Sequence, residues 1–161
     1  MRVSLRRRHL GRRLVLPFAL GALATGVMTA PVQASGSQVT IESTTVFEDG
    51  SGTFTADSAE LCSSGTTSEP HGVAVREGQR LVTFELDKLF TCADGSGTFT
   101  LRLRAWWLPC ATANRGVWYV VGGTGDYAEL RGHGHLVGTY VPGPCDDAEA
   151  VVDSYRGQMR V

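Results

Sequence analysis

Asp94-Gly95-Ser96-Gly97-Thr98-Phe99-Thr100-Leu101-Arg102-Leu103-Arg104-Ala105-Trp106-Trp107 is the stretch whose reading decides the fold. Apolar Phe99, Leu101, Leu103, Ala105 and Trp107 alternate with Thr100, Arg102 and Arg104. A period of two is the mark of a strand with one buried face. Asp94-Gly95 before it is a hairpin turn, because glycine reaches positive φ without steric cost. The seven residues Asp49-Gly50-Ser51-Gly52-Thr53-Phe54-Thr55 repeat residues 94–100 letter for letter, so a second hairpin is expected there. A calcium loop would need more than the single acid each copy supplies.

The same alternation extends outward. Val39, Ile41, Ser43, Thr45 and Phe47 form one run, and Val82, Phe84, Leu86 and Phe90 another. No segment carries a 3.6-residue apolar stripe. Turn residues divide the chain into eight strands, at about 37–48, 52–61, 71–77, 80–92, 97–108, 116–122, 132–141 and 152–161. Short connections make neighbours antiparallel. The expected fold is therefore all-β, an eight-stranded antiparallel up-and-down barrel, closure of which removes both edges. A two-sheet β-sandwich is the alternative.

The N-terminus reads as an export signal. Arg2, Arg6, Arg7, Arg8, Arg12 and Arg13 precede an apolar run from Leu14 to about Met28, then the small-residue site Val32-Gln33-Ala34. Cleavage is expected after Ala34, leaving residues 35–161 as one secreted barrel domain. Pro17, Gly21 and Gly26 interrupt the run, which is short for a membrane span of roughly 20 residues. Arg12-Arg13 before Leu14 also resembles a twin-arginine signal. Beyond residue 34 the chain holds 9 basic and 16 acidic residues, a formal charge of −7. Nucleic acid and anionic membrane surfaces are thereby excluded as partners of the mature part, since both require basic patches.

Export brings an oxidising compartment, and four cysteines allow three disulfide pairings. Strand directions choose among them. Cys62 follows strand two and Cys92 ends strand four, at one end of the barrel. Cys110 follows strand five and Cys145 follows strand seven, at the other. Cys62–Cys92 and Cys110–Cys145 are expected; other pairings would span about 30 Å of barrel, against the ~7 Å a disulfide permits between Cα atoms. No C-x-x-C spacing supports zinc.

Candidate site residues are few. Trp107, Tyr119, Tyr140 and Tyr155 lie on expected strands and could line a cavity. Asp153 and Tyr155 share a face at spacing two, which sets a carboxylate beside a phenol for proton transfer. They are the candidate catalytic residues. His133 and His135 also share a face, but no carboxylate follows to complete a metal site. Gly123-x-Gly125-x-x-Ala128 matches a relaxed dinucleotide fingerprint, yet Gly132, Gly134 and Gly138 preclude the helix that fingerprint requires. No Gly-x-Ser-x-Gly elbow is present, which leaves a hydrolase on a sandwich without its nucleophile.

One stretch carries a family resemblance. Val120-Val121-Gly122-Gly123-Thr124-Gly125-Asp126-Tyr127, continuing to Arg131-Gly132, resembles the corresponding segment of dirigent proteins and, more loosely, of allene oxide cyclases. About 17 residues carry the likeness. Leu130 stands where dirigent proteins have a small residue, and the four cysteines depart from the plant pattern. Tyr127 is placed to plug the end of the core, and Gly132 and Gly134 to admit a close neighbour. The resemblance implies an eight-stranded barrel with a cavity for a small apolar or aromatic molecule, whose conformation it steers or whose ring it closes. It implies no metal and no organic cofactor, and a homo-oligomeric, trimeric assembly. The catalytic residues of those families lie outside the matched segment. A non-catalytic interaction scaffold is the competing function; a filled interior would favour it, an open cavity the ligand-binding reading.

Overall fold

Alternating sequences give alternating burial. In the computed structural model the described residues are 36–69, 74–77, 81–142 and 148–161, with the backbone alone for 74–77. The export signal expected over residues 1–34 lies outside them. The strands are β1 (Ser37–Val46), β2 (Ser51–Asp57), β3 (Ser64–Ser68), β4 (Ala74–Glu77), β5 (Val82–Cys92), β6 (Gly97–Trp107), β7 (Ala113–Gly125), β8 (Arg131–Val141) and β9 (Ala150–Arg160). No helix occurs among the described residues.

The sheet order is β3-β2-β1-β9-β8-β7-β6-β5, and β3 pairs with β5 to close the circle. Every pairing is antiparallel. The structure is the eight-stranded closed barrel expected from the strand count, and the sandwich is set aside. β4 adds a short hairpin arm on the first half of β5.

The third stave departs from expectation. It was expected at 71–77, whereas β3 begins at Ser64. Ser64-Gly65-Thr66-Thr67-Ser68 buries only Thr67, so it has no apolar alternation to announce it. Its strand character comes from its neighbours: Gly65 to Ser68 pair with Cys92 to Leu89 on one side and with Phe54 to Ser51 on the other. β7 also exceeds its expected 116–122 at both ends: Ala113 already pairs with Thr139 of β8, and pairing with β6 continues past a register shift at Thr100/Leu101 to Gly125.

Both Asp-Gly-Ser-Gly repeats form the expected turns. Asp49 and Asp94 each accept hydrogen bonds from the serine two residues on, through its backbone N–H and its hydroxyl. Gly50 and Gly95 take positive φ, +67° and +77°, where a side chain would be strained.

The interior is filled at one end. Phe90 and Phe99 stack at 4.7 Å, and Phe54 meets both edge-on at 5.2 and 6.0 Å. Trp118 lies flat over Gly134 and Gly157, where a Cβ would fall 2.7 Å from its ring; only glycine admits the indole there. Cys62 and Cys92 form the expected disulfide at this end, with Cα atoms 5.9 Å apart. Cys110 is exposed with no partner among the described residues, and its expected partner Cys145 lies outside them. The outer face mixes ion pairs with exposed Trp106, Val117, Val121 and Val137: Arg102 grips Asp87 through two hydrogen bonds and Arg104 reaches Glu85 at 2.7 Å.

Candidate functional site

The packed end leaves the other end open. A cavity of about 430 Å3 enters there, within the range of small-molecule sites. Its walls are mostly apolar, from Val82, Phe84, Leu86, Leu103, Leu136 and Val151. Aromatic Phe47, Trp107 and Tyr140 stand at the mouth, Tyr140 lying edge-on to Trp107 at 5.9 Å and tilted against Phe47 at 6.1 Å.

The floor is charged. Lys88 lies on the inward face of β5 between Leu86 and Phe90, and its side chain is 1% exposed. Its Nζ donates to Asp153 Oδ2 at 2.7 Å and Thr45 Oγ1 at 3.0 Å, and lies 3.4 Å from Glu69 Oε1. Tyr155 Oη donates to the same Asp153 Oδ2 at 3.0 Å. Burial disfavours the Lys88 charge, but the facing Asp153 and Glu69 carboxylates outweigh it and hold the ammonium above the ordinary lysine range. Burial, then the Asp153 carboxylate, push the Tyr155 phenol above its ordinary range. Near neutral pH the floor thus holds an ammonium and an un-ionised phenol, both bonded to Asp153.

Three strands position Asp153. It pairs with Gly138, which pairs with Asn114, so the three form one inward row across β9, β8 and β7. The missing side chain at Gly138 makes the space: a Cβ there would fall 2.5 Å from Asp153 Oδ1 and 2.7 Å from Asn114 Nδ2. Asn114 lines the cavity and donates through Nδ2 to Tyr140 Oη at 3.2 Å. Its Oδ1 is buried with no hydrogen-bond partner.

The residues singled out in the sequence divide between these places. Asp153 and Tyr155 do meet, and Asp153 reaches the cavity; Tyr155 lies beneath it, fully buried in the aromatic core. Trp107 and Tyr140 line the cavity. Tyr119 does not: with Trp118 turned inward, it lies outside the barrel under the Arg104 guanidinium, 5.7 Å from its ring. His133 and His135 are exposed on the outer face, and no cluster of metal-binding side chains occurs among the described residues.

The Gly122–Gly132 stretch belongs to the closed end. Tyr127 is buried against Phe99, and its hydroxyl accepts from the Cys62 N–H at 2.9 Å. Gly123 sits against the Tyr127 backbone, Gly125 takes φ +60°, and Gly132 faces Met159. Thr124 Oγ1 lies 2.8 Å from Thr98 Oγ1, while Arg131 is exposed at 3.9 Å from Glu129. This motif closes the barrel; it does not touch the cavity.

Lys88, Glu69 and Asn114 went unread in the sequence. Lys88 carried a signal: an ionisable residue at an inward position of an otherwise apolar strand. Glu69 and Asn114 carried none, since neither stands in an alternating run. Compared with known protein families, curated proteins and solved structures, the chain matches none of them.

Proposed function

We propose that this chain is a secreted barrel that binds a small apolar or aromatic molecule in its open end and steers that molecule's conformation. The observation that carries this reading is a half-filled interior: an apolar cavity over a polar floor of Lys88, Asp153 and Asn114. The buried Lys88–Asp153 pair costs desolvation energy that a rigid scaffold has no need to bear. A ligand's polar group would repay part of that cost. Support for secretion comes from the basic-then-apolar N-terminus and from the buried disulfide, which suits an oxidising compartment. The Val120–Gly132 resemblance to dirigent proteins and allene oxide cyclases agrees with a cofactor-free role of this kind.

The two candidate catalytic residues take different parts here. Asp153 faces the cavity and would be the group that exchanges a proton with a ligand. Tyr155 is a positioning residue, holding the carboxylate from below.

Native mass spectrometry of the secreted protein tests the proposal. A co-purified small molecule, or a rise in melting temperature with members of a panel of neutral apolar and aromatic compounds, is the expected result. Neither a bound molecule nor any thermal shift would sink it.

A further inference from the structure

The charges around the cavity do not balance. Lys88 is the single cationic side chain lining it among the described residues, against two carboxylates, Glu69 and Asp153. An ammonium has three donors and no acceptor. Those of Lys88 face Asp153, Thr45 and Glu69, so it offers nothing to a ligand carboxylate unless one of these contacts breaks. Asp153 is served by Lys88 and Tyr155. Glu69 is the charged group with open surface: its side chain is 19% exposed, against 1% for Lys88 and 5% for Asp153.

Exposed acidic residues adjoin the lining. Glu48 and Asp49 are exposed beside Gly50 of the lining, and Glu149, also exposed, accepts at its carbonyl from the N–H of Phe47 at the mouth. Acidic residues beside an opening favour the approach of cations over anions. The aromatic faces of Trp107, Phe84 and Tyr140 suit both a flat apolar body and a cationic head.

Resting on the ligand-binding reading above, we infer that the occupant is an arylalkyl amine, its alkylammonium paired with Glu69 and its apolar body in the barrel. The head donates, and the site rejects a carboxylate in the same place.

Three probes of one shape test this: tryptamine, tryptophol and indole-3-acetate, titrated against the purified protein by calorimetry at pH 7 and low salt. Tryptamine should bind at least tenfold more tightly than tryptophol, and indole-3-acetate most weakly. Glu69→Gln should lower tryptamine affinity about tenfold and remove its preference over tryptophol. Equal or tighter binding of indole-3-acetate overturns the inference, as does an amine preference that survives Glu69→Gln. If no probe binds although neutral compounds of the earlier panel do, the amine inference falls and the cavity reading stands. If nothing in either set binds, both fall.

Discussion

Lys88 shows how one residue can belong to the core and to the site together. Its position is inward on β5, between Leu86 and Phe90 and paired with Leu101, while the ammonium meets Asp153. A buried ion pair contributes little net stability over apolar replacements, but losing one partner strands the other charge. Lys88→Met is therefore expected to destabilise the fold by about 3–5 kcal/mol, with Asp153 left uncompensated. Lys88→Met combined with Asp153→Leu should recover most of that loss. Urea unfolding of the two variants decides the matter; a double variant no more stable than the single one would show that the pair is not the cause. The pairing of Asp153 with Tyr155 could be read from their spacing alone. That Lys88 completes the group could not, because residues 65 apart meet only once the barrel closes.

Strands carry the next scale, and there the small residues decide. β8 holds Gly132, Gly134 and Gly138 at alternate or nearly alternate positions, where a strand normally presents side chains. Trp118 occupies the space left at Gly134, and the Asp153 and Asn114 side chains that left at Gly138. Gly138→Ala forces the floor of the cavity to move and is expected to cost about 1–3 kcal/mol, as overpacking does. Gly122 is the internal control. A Cβ there meets nothing within 4 Å and its φ is ordinary, so Gly122→Ala should lie within about 0.5 kcal/mol of the parent. Equal losses in the two variants, measured by denaturant titration, would disprove the packing argument. The alternation of β6 was legible because Arg102 and Arg104 separate its apolar residues. In β7, Trp118-Tyr119-Val120-Val121 is apolar throughout, and period two gives no face to choose. Only the ladder to β6 turned Trp118 inward and Tyr119 out.

At the scale of the whole molecule the two ends of the barrel have separate tasks. One end is sealed by the Cys62–Cys92 disulfide, Tyr127 and the stacked phenylalanines; the other stays open above its polar floor. The disulfide closes a loop across 30 residues, which corresponds to about 3–4 kcal/mol by chain entropy. Replacing both cysteines with alanine should lower unfolding free energy by about that amount. The same variant, where it remains folded, should bind cavity ligands with unchanged affinity, because the bridge is remote from the mouth. A loss of binding in the folded variant would contradict this separation.

The number of barrel staves, their antiparallel order, barrel closure and the Cys62–Cys92 bridge followed from the sequence by itself. Each depends on local information: period-two burial, Asp-Gly turns and the count of chain reversals. The third stave and the site did not follow. Ser64–Ser68 is a strand because β2 and β5 offer it two ladders, and its own residues have no apolar face to declare it. The floor joins Thr45, Glu69, Lys88, Asn114 and Asp153, drawn from across the chain. Their charge state and the void above them are properties of distance and burial, and only the closed barrel sets those.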